Sequence, residues 1–346
     1  MKTGILYFNL GTPQSPTPRD VGVYLREFLM DPLVIDIPYL FRALLVYGII
    51  APFRSRKSAH AYQQIWTSEG SPLLINSQKF VSKLQAELGA DIPVALGMRY
   101  GRPSLREALV ELIEKGVTDL RVLPAYPQYA KSSTETGFVK IREEWKALLT
   151  KGAVRQGDVQ VRMVKSYEDH PAFIQAIAQQ VKEAAKDFHP DHYLLSYHGL
   201  PLSHLQKANA ECVGGDCSLR LSSSNQDCYR RQSFQTSSAL AKELQLRTGQ
   251  YSVGFQSRLS GRWIEPYSDT FYEELPKKGV RRLLVACPSF TADCLETLEE
   301  VGMRGREQFI ASGGEDLKLV PCVNDSKIWV AGVKAMMANT QLWEPL

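Results

Sequence analysis

His198 stands where an apolar strand stops. In Leu194-Leu195-Ser196-Tyr197-His198-Gly199-Leu200-Pro201 the two leucines close a buried strand, and Gly199 and Pro201 break the chain at once. Open α/β sheets hold their ligands at the carboxyl ends of their strands. An imidazole there can bind a metal or move a proton near neutral pH, and it can equally be a satisfied structural histidine. A second stretch repeats the pattern: Leu284-Val285-Ala286-Cys287 runs into Pro288, and a helix opens after a short turn, at Asp293-Cys294-Leu295-Glu296. Asp293 and Glu296 are three apart and share a helical face, with Glu300 a further turn along. Asp293 can cap the helix with Glu296 reaching back, a D-x-x-E form of the capping box. Carboxylates at a helix start after a strand also face the ligand crevice, so the two roles can coexist.

The elements that must position these groups alternate along the chain. Short apolar runs read as parallel strands buried on both faces: Gly4–Leu10, Pro93–Met98, Leu120–Pro124, Val159–Val164, Tyr193–Tyr197, Ser252–Gln256, Leu283–Cys287 and Leu317–Val320. Between them lie helical patterns at Arg19–Met30, Ser71–Leu88, Ser104–Lys115, Thr134–Leu149, Pro171–Asp187, Gln235–Arg247, Tyr267–Lys277, Cys294–Ala311 and Ser326–Ala338. The alternation predicts an α/β protein of two similar doubly wound lobes, Rossmann- or flavodoxin-like, with parallel sheets and a cleft between them. Glycine-bearing polar residues at Lys151-Gly152 and Gln156-Gly157 offer the linker. Residues 1–155 are expected as an N-terminal lobe with an apolar lip at 32–53, and 156–325 as a C-terminal lobe with a cysteine-bearing loop at 205–235. Residues 326–346 are expected as a helix packing back on the N-terminal lobe.

The segment Pro32 to Phe53 breaks the rhythm, being almost wholly apolar with Asp36 and Arg42 as its only charges. Two readings compete: a core helix, or an exposed lip that takes a greasy ligand or touches a membrane surface. Gly11-Thr12-Pro13 after the first strand lacks the G-x-G-x-x-G spacing, which argues against a dinucleotide enzyme. The 41 basic residues barely exceed the 37 acidic ones, and the one dense basic cluster is Arg54-Ser55-Arg56-Lys57, so nucleic acid is not implied. The first residues enter a strand pattern without a signal-peptide layout, and the longest uncharged apolar stretch, Ala43 to Phe53, is far short of a membrane span. A cytoplasmic, reducing location is expected, in which cysteines serve as ligands, catalytic groups or buried thiols.

The His198 stretch and Phe290-Thr291-Ala292-Asp293-Cys294-Leu295-Glu296-Thr297-Leu298 resemble the two motifs of ferrochelatases. Ile5-Leu6-Tyr7-Phe8-Asn9-Leu10-Gly11-Thr12-Pro13, Gly70-Ser71-Pro72-Leu73, Met98-Arg99-Tyr100, Tyr126-Pro127-Gln128-Tyr129, Gln256-Ser257-Arg258 with Trp263, and Pro321-Cys322-Val323-Asn324-Asp325 resemble further family segments, in order along nearly the whole chain. The resemblance implies an enzyme, a lyase that inserts ferrous iron (Fe2+) into protoporphyrin IX to make haem. Such chemistry needs a cation delivered to a flat apolar ring and two pyrrole protons removed. Imidazole suits ferrous iron and accepts a proton, and a carboxylate opposite it can take the second proton or hand over the metal. His198 and Glu296 are the catalytic and metal-facing candidates. Leu10, Tyr100, Trp263 and Phe290 would hold the macrocycle, Ser71 and Arg99 its propionates, and Asp293 is a further substrate-side candidate. Core packing for the aromatics and a surface salt bridge for Arg99 are the competing roles. Many relatives carry histidine where this chain has Cys294, which narrows the metal and proton carriers to His198 and Glu296.

Cys212, Cys217 and Cys228 fall within seventeen residues of a polar loop. The resemblance implies a [2Fe–2S] cluster there, for which four thiolates are the usual requirement. Ser233 stands where a fourth ligand would be sought, and Cys287 or Cys322 are the alternatives; a zinc site and free thiols remain as other readings. Two rival functions stay open: a chelatase for another tetrapyrrole, of coproporphyrin or sirohydrochlorin type, and a non-catalytic haem carrier. The expected partners are the porphyrin and ferrous iron, with peripheral membrane contact, in a monomer or homodimer.

Overall fold

The computed structural model describes residues 1–208, 225–258 and 262–346. Its strands are β1 (Thr3–Gly11), β2 (Val94–Tyr100), β3 (Asp119–Pro124), β4 (Gln160–Met163), β5 (His192–His198), β6 (Tyr251–Gln256), β7 (Arg282–Ala286), β8 (Asp316–Leu319) and a short β9 (Glu344–Pro345). The chain divides into two units. Unit 1 gathers Met1–Tyr126, Lys131–Lys165 and Asp325–Leu346; unit 2 gathers Pro127–Ala130 and Ser166–Asn324.

Each unit is built on one sheet. In unit 1 the order is β2-β1-β3-β4, all parallel, with β9 added antiparallel on the β4 edge. In unit 2 it is β6-β5-β7-β8, all parallel. Both are the doubly wound order in which the first strand lies between the second and third. Helices cover both faces, so the central strands read as unbroken apolar runs: Ile5, Leu6, Tyr7 and Phe8 of β1 are all buried. In unit 1, Leu6, Phe8 and Val122 pack with Leu105, Leu109 and Leu112 of helix Leu105–Glu114 and with Phe138 and Ile141 of helix Thr136–Thr150. On a second set of contacts, Tyr7 meets Phe80 of helix Pro72–Leu88, which stacks on Trp329 of the C-terminal helix Lys327–Ala338. Unit 2 packs Leu194, Leu283 and Val285 against Tyr272, Val301 and Phe309.

Two helices depart from the apolar spacing. Helix Tyr229–Glu243 begins six residues before the expected Gln235, because its buried face is polar: Arg231, Gln232, Ser233, Thr236 and Ser237 all point inward. Hydrophobic periodicity is blind to such a face. The segment from Tyr39 is helical through Ile65, as an α turn Tyr39–Ala43, a π-helical Leu44–Ile50 and the α-helix Ala51–Ile65. It is not a core helix. Leu40 is 73% exposed, Phe41 66%, Leu44 70% and Phe53 76%. Within 39–53, Arg42, Val46 and Ala51 are the buried members, with Arg42 donating from Nη1 to the carbonyls of Ile35 and Ile37 at 3.1 and 3.0 Å. Among the described residues, no helix is long and apolar enough to cross a membrane.

Candidate active site

His198 is the last residue of β5, in register with Gln256 at the end of β6. Strand β5 pairs with β6 on one side and β7 on the other, so His198 sits at the topological switch point of unit 2. Its backbone is pinned: its N–H donates to Ser289 Oγ at 3.1 Å, and its carbonyl accepts from the Tyr229 hydroxyl at 2.9 Å. The ring Nδ1 lies 2.7 Å from the Gly199 carbonyl oxygen. A carbonyl can only accept, so Nδ1 carries a proton, and in the neutral ring Nε2 is the atom that holds the lone pair. That is the form an imidazole needs to take a proton or a metal. Phe290, half-buried after β7, stands edge-on to the ring with centroids 6.3 Å apart.

Gly199 allows the turn. A Cβ there would come 2.6 Å from the Gln256 carbonyl oxygen and 3.2 Å from the Trp263 ring. Further bonds stitch this turn to the Trp263 segment: Ile264 N–H to the Leu200 carbonyl and Leu202 N–H to the Arg262 carbonyl, each at 3.0 Å. Trp263 is half-buried beside His198's own turn.

Glu296 opens a π-helical segment, Glu296–Gly305, which runs on into the α-helix Arg306–Ala311. Its carbonyl accepts from Gln256 Nε2 at 3.3 Å, which ties it to the end of β6. Glu300 lies below it and accepts from Ser257 Oγ at 2.7 Å. Burial pushes the Glu300 carboxyl above the usual carboxylate range; the Ser257 bond and the charge of His198 oppose this, and the negative charge of Glu296 adds to it. Glu300 thus lies within electrostatic reach of both His198 and Glu296. Arg304, a turn beyond, donates to both oxygens of Glu299 at 2.8 and 3.0 Å. Glu300 and Ser257 were not singled out as site residues by sequence; the i, i+4 spacing from Glu296 is the signal that finds the first.

Asp293 is buried with both carboxylate oxygens engaged. Oδ1 accepts from the Cys322 N–H at 3.0 Å and Oδ2 from Asn324 Nδ2 at 2.7 Å. It is thus held within the protein and neither caps the helix through Glu296 nor presents a free oxygen to a ligand. The caps come from Thr297, whose hydroxyl accepts from Cys294 N–H at 3.0 Å and donates to its carbonyl at 3.1 Å. The Cys294 thiol is pushed up by burial first, then by the charge of Glu296 and its hydrogen bond to that carboxylate.

The other expected residues lie in unit 1. Leu10 is half-buried at the end of β1, and Ser71 is buried with its hydroxyl accepting from Thr12 at 2.8 Å. Arg99 is not a surface cation: Nε donates to Thr136 Oγ1 at 2.7 Å and to its carbonyl at 3.1 Å, Nη2 pairs with Asp31, and the guanidinium lies 4.4 Å over the Tyr100 ring. Tyr100 is fully buried and donates to Asp31 at 2.9 Å, so no face of its ring is open. Burial holds its hydroxyl above the usual phenol range. Thr136 completes the knot by donating to the same Asp31 oxygen. Asp31 and Thr136 carried no sequence signal, since a lone aspartate before a proline belongs to no motif.

The cysteine loop is only partly described. Cys212 and Cys217 lie outside the described residues, and Cys228 directly precedes helix Tyr229–Glu243. Ser233 is buried and its hydroxyl donates to the Tyr229 carbonyl at 2.9 Å, which removes it as a fourth ligand. Cys287 and Cys322 are buried thiols pushed up by burial and by the charge of Asp293. Among the described residues, no three His, Cys, Asp or Glu side chains converge to hold a metal ion.

The sequence model of the family described as Ferrochelatase matches residues 2–341. A protein named Ferrochelatase from Legionella pneumophila (strain Philadelphia 1) is 45% identical over 338 residues, covering 97% of this chain and 99% of that one. Another of the same name from Coxiella burnetii (strain Dugway) is 44% identical over 346 residues, covering 99% and 94%. In fold the chain is similar to the structure of SirB from Bacillus subtilis with Fe3+, at a TM-score of 0.53 and 12% identity over 99% of this chain and 98% of that one. A switch-point imidazole whose Nδ1 is held by a backbone carbonyl, within electrostatic reach of Glu300, is in keeping with these likenesses. The chain belongs to the ferrochelatase family, the lyases that insert ferrous iron into a porphyrin to make haem.

Proposed function

We propose a division of labour within that reaction. Inserting Fe2+ releases two pyrrole protons, so the porphyrin dianion and the iron dication form neutral haem while the protein receives two H+. His198 Nε2 takes one proton and Glu296 the other, with Glu300 as the group that holds a proton in passing. The observation that carries this reading is the Nδ1–Gly199 bond, which fixes the tautomer of the neutral ring, together with the effect of His198 and Glu296 on the buried Glu300 carboxyl. His198 and Glu296 also meet the incoming iron, as an imidazole and a carboxylate suited to a ferrous ion. Phe290 and Trp263 of unit 2 supply apolar contact to the macrocycle. Arg99 and Tyr100 serve the inside of unit 1, and Asp293 supports the site from within unit 2, since their polar atoms are already bonded internally.

Protoporphyrin IX suits this chain better than a ring with more carboxylates, because the exposed 39–53 segment is apolar and a more acidic ring would want more basic groups. We infer that the same segment makes the protein a peripheral membrane visitor from a cytoplasmic location, with Arg54, Arg56 and Lys57 exposed just beyond it.

Anaerobic incubation with ferrous iron and protoporphyrin, followed by absorbance, tests the assignment. His198→Ala and Glu296→Gln are each expected to slow metalation by about 100-fold or more. Wild-type rates in either variant would remove that residue from the mechanism. Faster turnover of coproporphyrin than of protoporphyrin would move the substrate assignment to the other ring.

A further inference from the structure

We propose that Asp293 is a positioning residue: its carboxylate and the Asn324 side chain lock onto each other and so fix the turn that presents Glu296. The lock is reciprocal. Asn324 Nδ2 donates to Asp293 Oδ2 at 2.7 Å, and Asp293 N–H donates to Asn324 Oδ1 at 2.9 Å. Two flanking bonds close it, from Cys322 N–H to Asp293 Oδ1 at 3.0 Å and from Asn324 N–H to the Thr291 carbonyl at 2.8 Å. The residues joined are 29 and 31 positions apart in the chain. Asn324 adopts a left-handed φ of 43°, which asparagine tolerates better than most side chains.

The surroundings explain why the lock must be complementary. Asp293, Cys287, Cys294 and Cys322 are all buried, and burial pushes the three thiols up, so these neighbours bring the carboxylate no positive charge. Its charge is met by the Cys322 N–H and the Asn324 amide instead, and a donor or acceptor left unmatched in this setting is costly. The link to the chemistry is short. Asp293 is followed by Cys294, whose N–H and carbonyl are both held by Thr297 Oγ1, and Glu296 lies inside that turn. A shift of the Asp293 backbone therefore moves Glu296 relative to His198 and Glu300.

The inference rests on the reading of Glu296 as a proton acceptor, and an exchange of the pair separates the two. Asp293→Asn sets one amide's N–H2 against the other's, and Asn324→Asp sets two carboxylates together. The double variant Asp293→Asn/Asn324→Asp restores every bond in mirrored form, with the charge moved across the pair. Each single variant is expected to lower kcat for iron insertion by about 10- to 100-fold, with KM for protoporphyrin within about twofold, as a small misplacement of a reacting group does. The double variant is expected to recover at least tenfold of that loss. A folded double variant no faster than Asp293→Asn would overturn the proposal, because the carboxylate at position 293 would then be needed for itself. Wild-type kcat in Asp293→Asn would overturn it as well. Should either single variant fail to fold, the double variant is set against the wild type: a kcat within about tenfold supports the lock, and a folded double variant slower by about 100-fold or more overturns it. Glu296→Gln in the same assay reports separately: its retaining full activity would sink the role of Glu296 whatever the exchange shows.

Discussion

Gly199 and Gly11 hold corresponding places in their units, each at the end of the central strand and pressed against the last carbonyl of its neighbour. At Gly11 a Cβ would lie 1.7 Å from the Tyr100 oxygen, with φ at +111°; at Gly199 it would lie 2.6 Å from the Gln256 oxygen. The Gly199 carbonyl also sets the tautomer of His198, so a substitution there acts on the imidazole directly. Gly199→Ala is expected to lower stability by about 1–3 kcal/mol in urea unfolding, as overpacking does, and to slow metalation more than it raises KM for the porphyrin. An unchanged rate would show that the turn yields without moving the ring. His198 and Glu296 could be read from the sequence because a strand end and a helix start are local signals. Asp31 could not, because its partners Arg99, Tyr100 and Thr136 are 68, 69 and 105 residues away.

Among the elements, the eight longer strands were legible because parallel strands covered on both faces leave continuous apolar runs. Helix Tyr229–Glu243 was legible only in its second half, since its first turns bury polar groups that hydrogen-bond across unit 2, as Gln232 does with the Tyr129 N–H at 2.6 Å. The 39–65 helix was ambiguous because an apolar stretch has the same composition whether it is covered or bare. Its π-helical stretch ends just before Pro52, where a wider turn relieves the clash between the proline ring and the preceding turn's carbonyl. The bare reading has a direct test. The wild-type protein is expected to float with vesicles of phosphatidylglycerol and phosphatidylcholine, and Leu40→Glu/Phe41→Glu to stay behind. Salt at about 1 M should weaken the wild-type binding only in part, by screening Arg54, Arg56 and Lys57 while leaving the apolar contact. Equal flotation of the variant would mean that another surface meets the lipid.

At the scale of the whole molecule, the same strand order serves twice, yet the titratable row of His198, Glu296 and Glu300 belongs to unit 2 alone. Unit 1 is completed by the last residues of the chain. Trp329 is fully buried there against Phe80, the Met337 carbonyl accepts from Arg121, and the Trp343 ring lies 5.5 Å from that guanidinium. Trp329→Ala is expected to cost about 3–5 kcal/mol, a large share of what a domain has to lose. A loss under about 1 kcal/mol in urea unfolding would show that the C-terminal helix is not part of unit 1's cooperative core.

That connectivity sets a timetable during synthesis. Lys334 pairs with Glu87 across 247 positions, and every residue of unit 2 after Lys165 is translated in between. At about 5–20 residues per second the ribosome needs roughly 10–50 s to cover that distance. For that time the Phe80 face of helix Pro72–Leu88 emerges without its partner, and unit 2 is completed, at Asn324, before that partner arrives. The nascent chain is therefore most exposed to aggregation, and most in need of a chaperone, on the unit that does not carry His198.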